Sequence, residues 1–238
     1  AAGPGAGSKP VHAFKVPTSH EAGIWATGGP VIDASGTVYV GIGNGATSQP
    51  YDGSDSVTAL SPLLHRTDVF APASWVADNR SDLDLGSMTP ALTSSGQILQ
   101  VGKRGIGYLL RAQSLGGIGG QVAKLSVCAA FGGAAVSGDT VIVPCAGGGP
   151  AAVSTRGGRL RVSWRGPSSA DGSPVIGGGA VWVTDTSRGV LYELSPGTGG
   201  VRHQIRLGAQ LPHFASPSLS GRLVLVGTMQ GVVAVTGA

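Results

Sequence analysis

Apolar residues in this chain come in short bursts of four or five, cut off by glycine and proline, and not in long helical stripes. The most regular stretch runs from Gly172 to Gly199. It holds a short apolar run ending in glycines, a second run over residues 180–183, a turn over residues 187–189, a third run over residues 190–194, and a Pro-Gly-Thr-Gly stop. Each run is bounded by turn chemistry, so the stretch predicts three strands in a row, with a fourth over residues 201–207.

The unit recurs. Its opening reads Gly-Gly-Pro-Val-Ile-Asp at Gly28, Met-Thr-Pro-Ala-Leu-Thr at Met88, Gly-Gly-Ala-Ala-Val-Ser at Gly132, Gly-Ser-Pro-Val-Ile-Gly at Gly172 and Ala-Ser-Pro-Ser-Leu-Ser at Ala215. A run of the second kind follows each opening, at residues 37–40, 97–100, 140–143, 180–183 and 222–225. A period of about 40 to 45 residues with four short strands is the pattern of propeller blades. The first interval is longer, about 60 residues, and its extra sequence at 44–55 and 72–84 marks loops where function is expected.

The fold class that follows is all-β: a β-propeller of about five four-stranded antiparallel blades. The blades are predicted over residues 22–72, 84–127, 128–164, 172–207 and 214–238. Lys9 opens Lys-Pro-Val-His-Ala-Phe-Lys-Val, a strand with no blade before it, while the last blade stops after its third strand. Residues 11–16 are therefore expected to supply the absent outer strand of the last blade and cover its edge. Residues 9–238 read as one domain after a flexible lead-in at 1–8. A ring of five and a part of an eight-bladed parent both fit the pattern.

Composition narrows the function. Glycine supplies 42 residues and charged types only 12%, which suits tight turns and packed strands. The net charge of +4 comes from 16 scattered Lys and Arg that no aromatics interleave, so no nucleic-acid face is expected. No run reaches the roughly 18 apolar residues of a membrane span. A monomer is expected. Cys128 precedes the first strand of its blade and Cys145 follows the second, and antiparallel pairing brings such positions together. They are either disulfide partners, which would place the protein outside the cytoplasm, extracellular or periplasmic, or two free buried thiols.

Four segments carry a family resemblance: Gly36-Thr-Val-Tyr-Val-Gly-Ile-Gly-Asn-Gly45, Asp55-Ser-Val-Thr-Ala-Leu60, Asp82-Leu-Asp-Leu-Gly-Ser-Met-Thr-Pro90 and Val101-Gly-Lys-Arg-Gly-Ile-Gly-Tyr-Leu-Leu110. They resemble the quinoprotein alcohol dehydrogenase-like propellers, which bind pyrroloquinoline quinone (PQQ) beside a calcium ion. The resemblance implies Asn44 as a calcium ligand, Asp82 as catalytic base and Lys103 as the residue touching the quinone. Asp82 and Asp84 flank Leu83, so a strand would point both to one face, as metal ligands or a proton-sharing pair. Trp75, in the long insertion, is the aromatic that would stack on a ligand. Ser81 stands where the family motif has Trp, and only Glu21 and Glu193 occur, neither in a matching motif. The implied PQQ site is thus incomplete.

Plainer roles compete for the same residues. Gly-Asn-Gly is an ordinary turn, Lys103-Arg104-Gly105 is a solvated one, and Tyr51-Asp-Gly-Ser-Asp55 lacks the terminal Glu of a calcium loop. No two of the five histidines stand at metal-ligand spacing, and no Gly-x-Ser-x-Gly elbow is present. Trp25, Trp164 and Trp182 are read as blade packing. The sequence therefore predicts an exported propeller that binds a small molecule or a protein partner at its mouth. The alternative is a calcium- and PQQ-dependent alcohol or sugar dehydrogenase with Asp82 as base.

Overall fold

In the computed structural model, which describes residues 10–25, 29–45 and 50–237, the bursts become five sheets in chain order, antiparallel but for one added parallel strand in the first. The first holds β1 (Val31–Ile32), β2 (Val38–Ile42), β3 (Ser56–Leu60) and β4 (Arg66–Ala71), and a short helix α1 (Trp75–Arg80) follows it. The second holds β5 (Ala91–Leu92), β6 (Gln97–Val101) and β7 (Ile106–Arg111). After it β8 (Gly117–Ile118) returns to pair in parallel with β4, and β9 (Ala123–Ser126) completes the second sheet. The third is β10 (Ala135–Ser137), β11 (Thr140–Val143), β12 (Ala151–Ser154) and β13 (Arg161–Arg165), and the fourth is β14 (Val175–Gly177), β15 (Ala180–Asp185), β16 (Val190–Leu194) and β17 (Val201–Arg206). The fifth has three strands, β18 (Ser218–Ser220), β19 (Leu223–Thr228) and β20 (Gly231–Thr236).

Local chemistry sets the turns. Asp33 Oδ1 accepts from the backbone N–H of Ser35 (2.8 Å) and Thr37 (3.0 Å), and Gly36 takes a φ of 85° that a side chain would resist. Between β15 and β16 the Asp185 carboxylate plays the same part, accepting from Arg188 N at 2.9 Å.

The sheets stack face to face, and the core lies between them. In β15, Val181 and Val183 pack against Ile142, Ala152 and Trp164 of the third sheet, while Ala180 and Trp182 pack toward Val224 and Val226 of the fifth. Alternate residues thus serve different neighbours, which is why the run reads as continuously apolar. Equivalent clusters join the first and second sheets around Phe70 and Leu110, and the second and third around Leu99 and Val143.

Two expectations need correction. The described residues of the amino-terminal segment form no strand and do not complete the last sheet. Phe14, Val16 and Ala22 lie instead against Val40, Ile42 and Leu60 on the leading face of the first sheet. Backbone hydrogen bonds from Ala22 N to Asn44 O (2.7 Å) and from Gly43 N to Gly23 O (3.0 Å) hold it there. Among the described residues no strand pairs with the outer edge of β20, and Val232 is 72% exposed on the trailing face of the last sheet. The second correction is α1, which the sequence did not announce because six residues are too few to show a 3.6-residue period. The proposed lead-in lies outside the described residues.

Candidate functional site

Four segments meet at one end of the first two sheets: residues 21–25, the β2–β3 turn at Gly43 to Gly45, the stretch from α1 to Ser87, and the β6–β7 turn at Gly102 to Gly105. In an antiparallel meander these connections fall on the same end. Two glycines let the backbones close in. A Cβ on Gly43 would stand 2.5 Å from Asp84 Oδ1, and one on Gly102 would meet Leu85 Cα at 2.6 Å.

Asp84, with no solvent exposure, is the hub. Its Oδ1 accepts from Asn44 N at 2.6 Å, and its Oδ2 faces Lys103 Nζ at 2.5 Å. Lys103 Nζ also donates to Asp82 Oδ1 at 2.8 Å and sits 5.2 Å from the centre of the Trp25 ring, a cation–π contact. The Asn44 side-chain amide lies between Asp84 and Glu21. Burial alone would lower the pKa of Lys103, but its hydrogen bonds to Asp82 and Asp84 outweigh that and hold it above the usual lysine value. The same hydrogen bond from Lys103 holds the Asp82 carboxyl below the ordinary carboxylate range.

Behind this hub lies a buried polar layer that docks the insertion. Asp55, fully buried, accepts from Leu85 N at 2.9 Å through Oδ1, while its Oδ2 has no partner. Burial, with help from the charges of Asp78 and Asp84, pushes its pKa up to about 7. Asp78 pairs with Arg104 and accepts from Ser74 Oγ at 2.7 Å. Asn79 accepts from Gly45 N at 3.0 Å and donates to Ser54 Oγ at 3.1 Å. In the stretch opened by Tyr51, Asp52 binds Ser54 N and Thr18 Oγ1, the work of a turn.

The structure brings Asn44, Asp82 and Lys103, the three positions named by the resemblance, to one place around Asp84, although residues 82–84 lie outside any strand. Trp75 is elsewhere in role: it is 3% exposed, with its ring edge-on to Tyr51 at 5.1 Å. The open indole is that of Trp25, 46% exposed, which sequence reasoning placed in blade packing. Its signal was its position, outside any strand run and amid glycines ahead of the first blade opening. Trp25, Glu21, Asn44, Arg80, Ser81 and Asp82 line a groove of about 870 Å³ open to solvent.

Calcium fits this donor set poorly. Both oxygens of Asp84 are committed, one to the Asn44 amide and one to the Lys103 ammonium, so a cation there would face a fixed positive charge. Among the described residues no three His, Cys, Asp or Glu side chains come close enough to hold a metal ion.

On the third sheet Cys128 and Cys145 form a disulfide, with Cα atoms 5.6 Å apart, resolving the two alternatives in favour of the bridge. Among the described residues no helix is long and apolar enough to cross a membrane.

A scan against protein-family models returns no match, and a search of curated proteins returns none. Solved structures do match. BamB from Moraxella catarrhalis is similar over 87% of this chain and 56% of its own, with a TM-score of 0.59 and 16% identity. The computationally designed protein Ika8 covers 88% of this chain and 57% of its own, with a TM-score of 0.61 and 8% identity. The β-propeller domain of Cps50 (Swd1) from Myceliophteria thermophila covers 84% and 60%, with a TM-score of 0.58 and 11% identity. At such identities the likeness establishes the fold, a β-propeller, and this chain spans a little over half the length of those chains.

Proposed function

We propose that this chain is a partner-binding propeller module of an exported protein, and that its partner, a polypeptide, is taken at the groove beside Trp25. The observation that carries this reading is an exposed indole seated on a neutralised lysine and ringed by Glu21, Arg80 and Asp82. A large aromatic amid charged rim groups has the anatomy of an interface anchor. Export is supported by the disulfide, since cytoplasmic thiols are kept reduced. The test is photo-crosslinking from position 81 in an extract of the compartment where the protein resides. A discrete protein adduct that Trp25→Ala abolishes is expected, and an adduct that survives Trp25→Ala would contradict the reading.

A second reading, the PQQ- and calcium-dependent dehydrogenase, is favoured by the meeting of Asn44, Asp82, Asp84 and Lys103 at one point. Against it stand the engaged oxygens of Asp84 and the lowered pKa of Asp82, which makes that carboxylate a weak base. Titration with PQQ and millimolar calcium separates the two: partner binding predicts no change in the quinone spectrum, and a saturable shift would revive the dehydrogenase.

A further inference from the structure

A second cavity opens on the same end of the propeller, between the third, fourth and fifth sheets, and shares no residue with the Trp25 groove. It measures about 280 Å³ and is walled by Phe131, Pro144, Asp171, Thr186, His213 and Phe214.

Each wall is fixed by the fold. The disulfide brackets the first: Cys128 and Cys145 are joined, Phe131 N donates to Pro144 O at 3.2 Å and Ala146 N to Ala129 O at 2.8 Å. The second is Asp171, whose Oδ1 and Oδ2 accept from the N–H and hydroxyl of Thr186, both at 2.8 Å, so the carboxylate is aimed and held. The third is a turn from Pro212 to Ala215, closed by Ala215 N to Pro212 O at 3.1 Å and pinned to β15 by Thr184 Oγ1 donating to Ala215 O at 2.8 Å. At its tip the His213 and Phe214 rings lie 4.0 Å apart.

Phe214 is the unusual residue. It is 46% exposed and holds a φ of 64°, in the left-handed region that costs a non-glycine residue energy. Such strain concentrates at ligand clamps, where it keeps a side chain in a working position. Asp171 is exposed, and among the described residues no cation pairs with it, although the chain carries a net charge of +4.

We propose that this cavity binds the ammonium group of a small organic cation, the charge resting against Asp171 and the faces of Phe131 and Phe214. Aromatic faces attract cations through the ring quadrupole, and an aimed carboxylate adds a charge-assisted hydrogen bond. The volume is ample for a small amine or one lysine side chain. A free amine and a lysine of a peptide present the same group.

The test is titration of the intact protein, followed by backbone amide resonances, at about pH 8, where histidine side chains are ordinarily uncharged. The probes are phenethylammonium, its neutral counterpart phenethyl alcohol, and N-acetyl-lysine methylamide. Phenethylammonium is expected to shift Gly147, Thr186 and His213 saturably, leaving the Trp25 indole resonance in place, and to bind about tenfold more tightly than the alcohol. Tighter binding of the lysine derivative assigns the site to a peptide side chain, and tighter binding of the free amine assigns it to a small molecule. Asp171→Asn keeps most of the local hydrogen bonding, and Phe214→Ala removes an exposed ring with no core role. Each should weaken phenethylammonium by about tenfold or more. Equal affinity for amine and alcohol, absence of saturation, or indifference to both substitutions would overturn the proposal.

Discussion

The two ends of the sheet stack are built from the same repeat but finished differently. The first sheet has its leading face covered by Phe14, Val16 and Ala22, and its loops thickened by a buried polar layer around Asp55, Asp78 and Asn79. Among the described residues the last sheet has three strands and no partner on the outer edge of β20, and Leu223 and Val232 are exposed on its trailing face. Among the described residues, the amino-terminal segment covers a face of the first sheet and none pairs with the outer edge of β20.

The sharpest test of the contrast compares the two faces of the last sheet. Val224, fully buried against the fourth sheet, should lose about 4 kcal/mol or more as Val224→Asp, because a charge would be buried without a partner. Val232→Asp, on the open face, should stay within about 0.5 kcal/mol. Urea denaturation of the two variants measures both, and equal losses would mean that the trailing face is covered in solution.

Next in size is a pH effect belonging to the first sheet. Burial pushes the folded-state pKa of Asp55 up to about 7 from the ordinary carboxylate value of 3.8 in the unfolded chain, so the folded state holds the proton more tightly. Its contribution is fully present below about pH 4 and is lost as pH rises toward about 7, by an amount on the order of a few kcal/mol. Asp55→Asn should flatten that slope in thermal melts taken across the window. Asp33, held low by Ser35, and Asp82, held low by Lys103, act in the opposite sense, and their stabilisation disappears only below about pH 4.

The middle of the stack should respond to reductant. The Cys128–Cys145 bridge closes a loop of sequence separation 17, so reduction should cost about 3 kcal/mol. Thiol counting in denaturant without reductant should find no free thiols. Smallest is the cap: Phe14→Ala, at a half-buried site on the first sheet, should cost about 1 to 2 kcal/mol and leave the last sheet untouched.

The strands were legible because alternation and turn residues agree, as between β15 and β16 at Asp185 and Gly189. The nearness of Asn44 and Lys103 was legible only through the family resemblance, since by themselves Gly-Asn-Gly and Lys-Arg-Gly read as ordinary turns, and the buried hub Asp84 was read as a strand residue beside Asp82. The placement of the amino-terminal segment was not legible. Val11-His-Ala-Phe-Lys-Val16 mixes apolar and basic residues, as does Arg161-Val-Ser-Trp-Arg165 of the outer strand β13. Pairing with β20 would gain a few backbone hydrogen bonds worth about 1 kcal/mol each, while burying Phe14 and Val16 gains about 1.5 to 3 kcal/mol per side chain. The options are of similar size, so the pattern along the chain does not choose between them. Trp25 escaped for a related reason: an isolated aromatic among glycines has no periodicity to say which way it faces.

Hydrogen–deuterium exchange read at single amides tests the asymmetry of the two ends directly. Strong protection of Ala22 and Gly43 is predicted, with rapid exchange at the amides of β20 that face away from β19. Protected outward amides along β20, together with unprotected Ala22, would mean that a strand does complete the last sheet and would contradict the account.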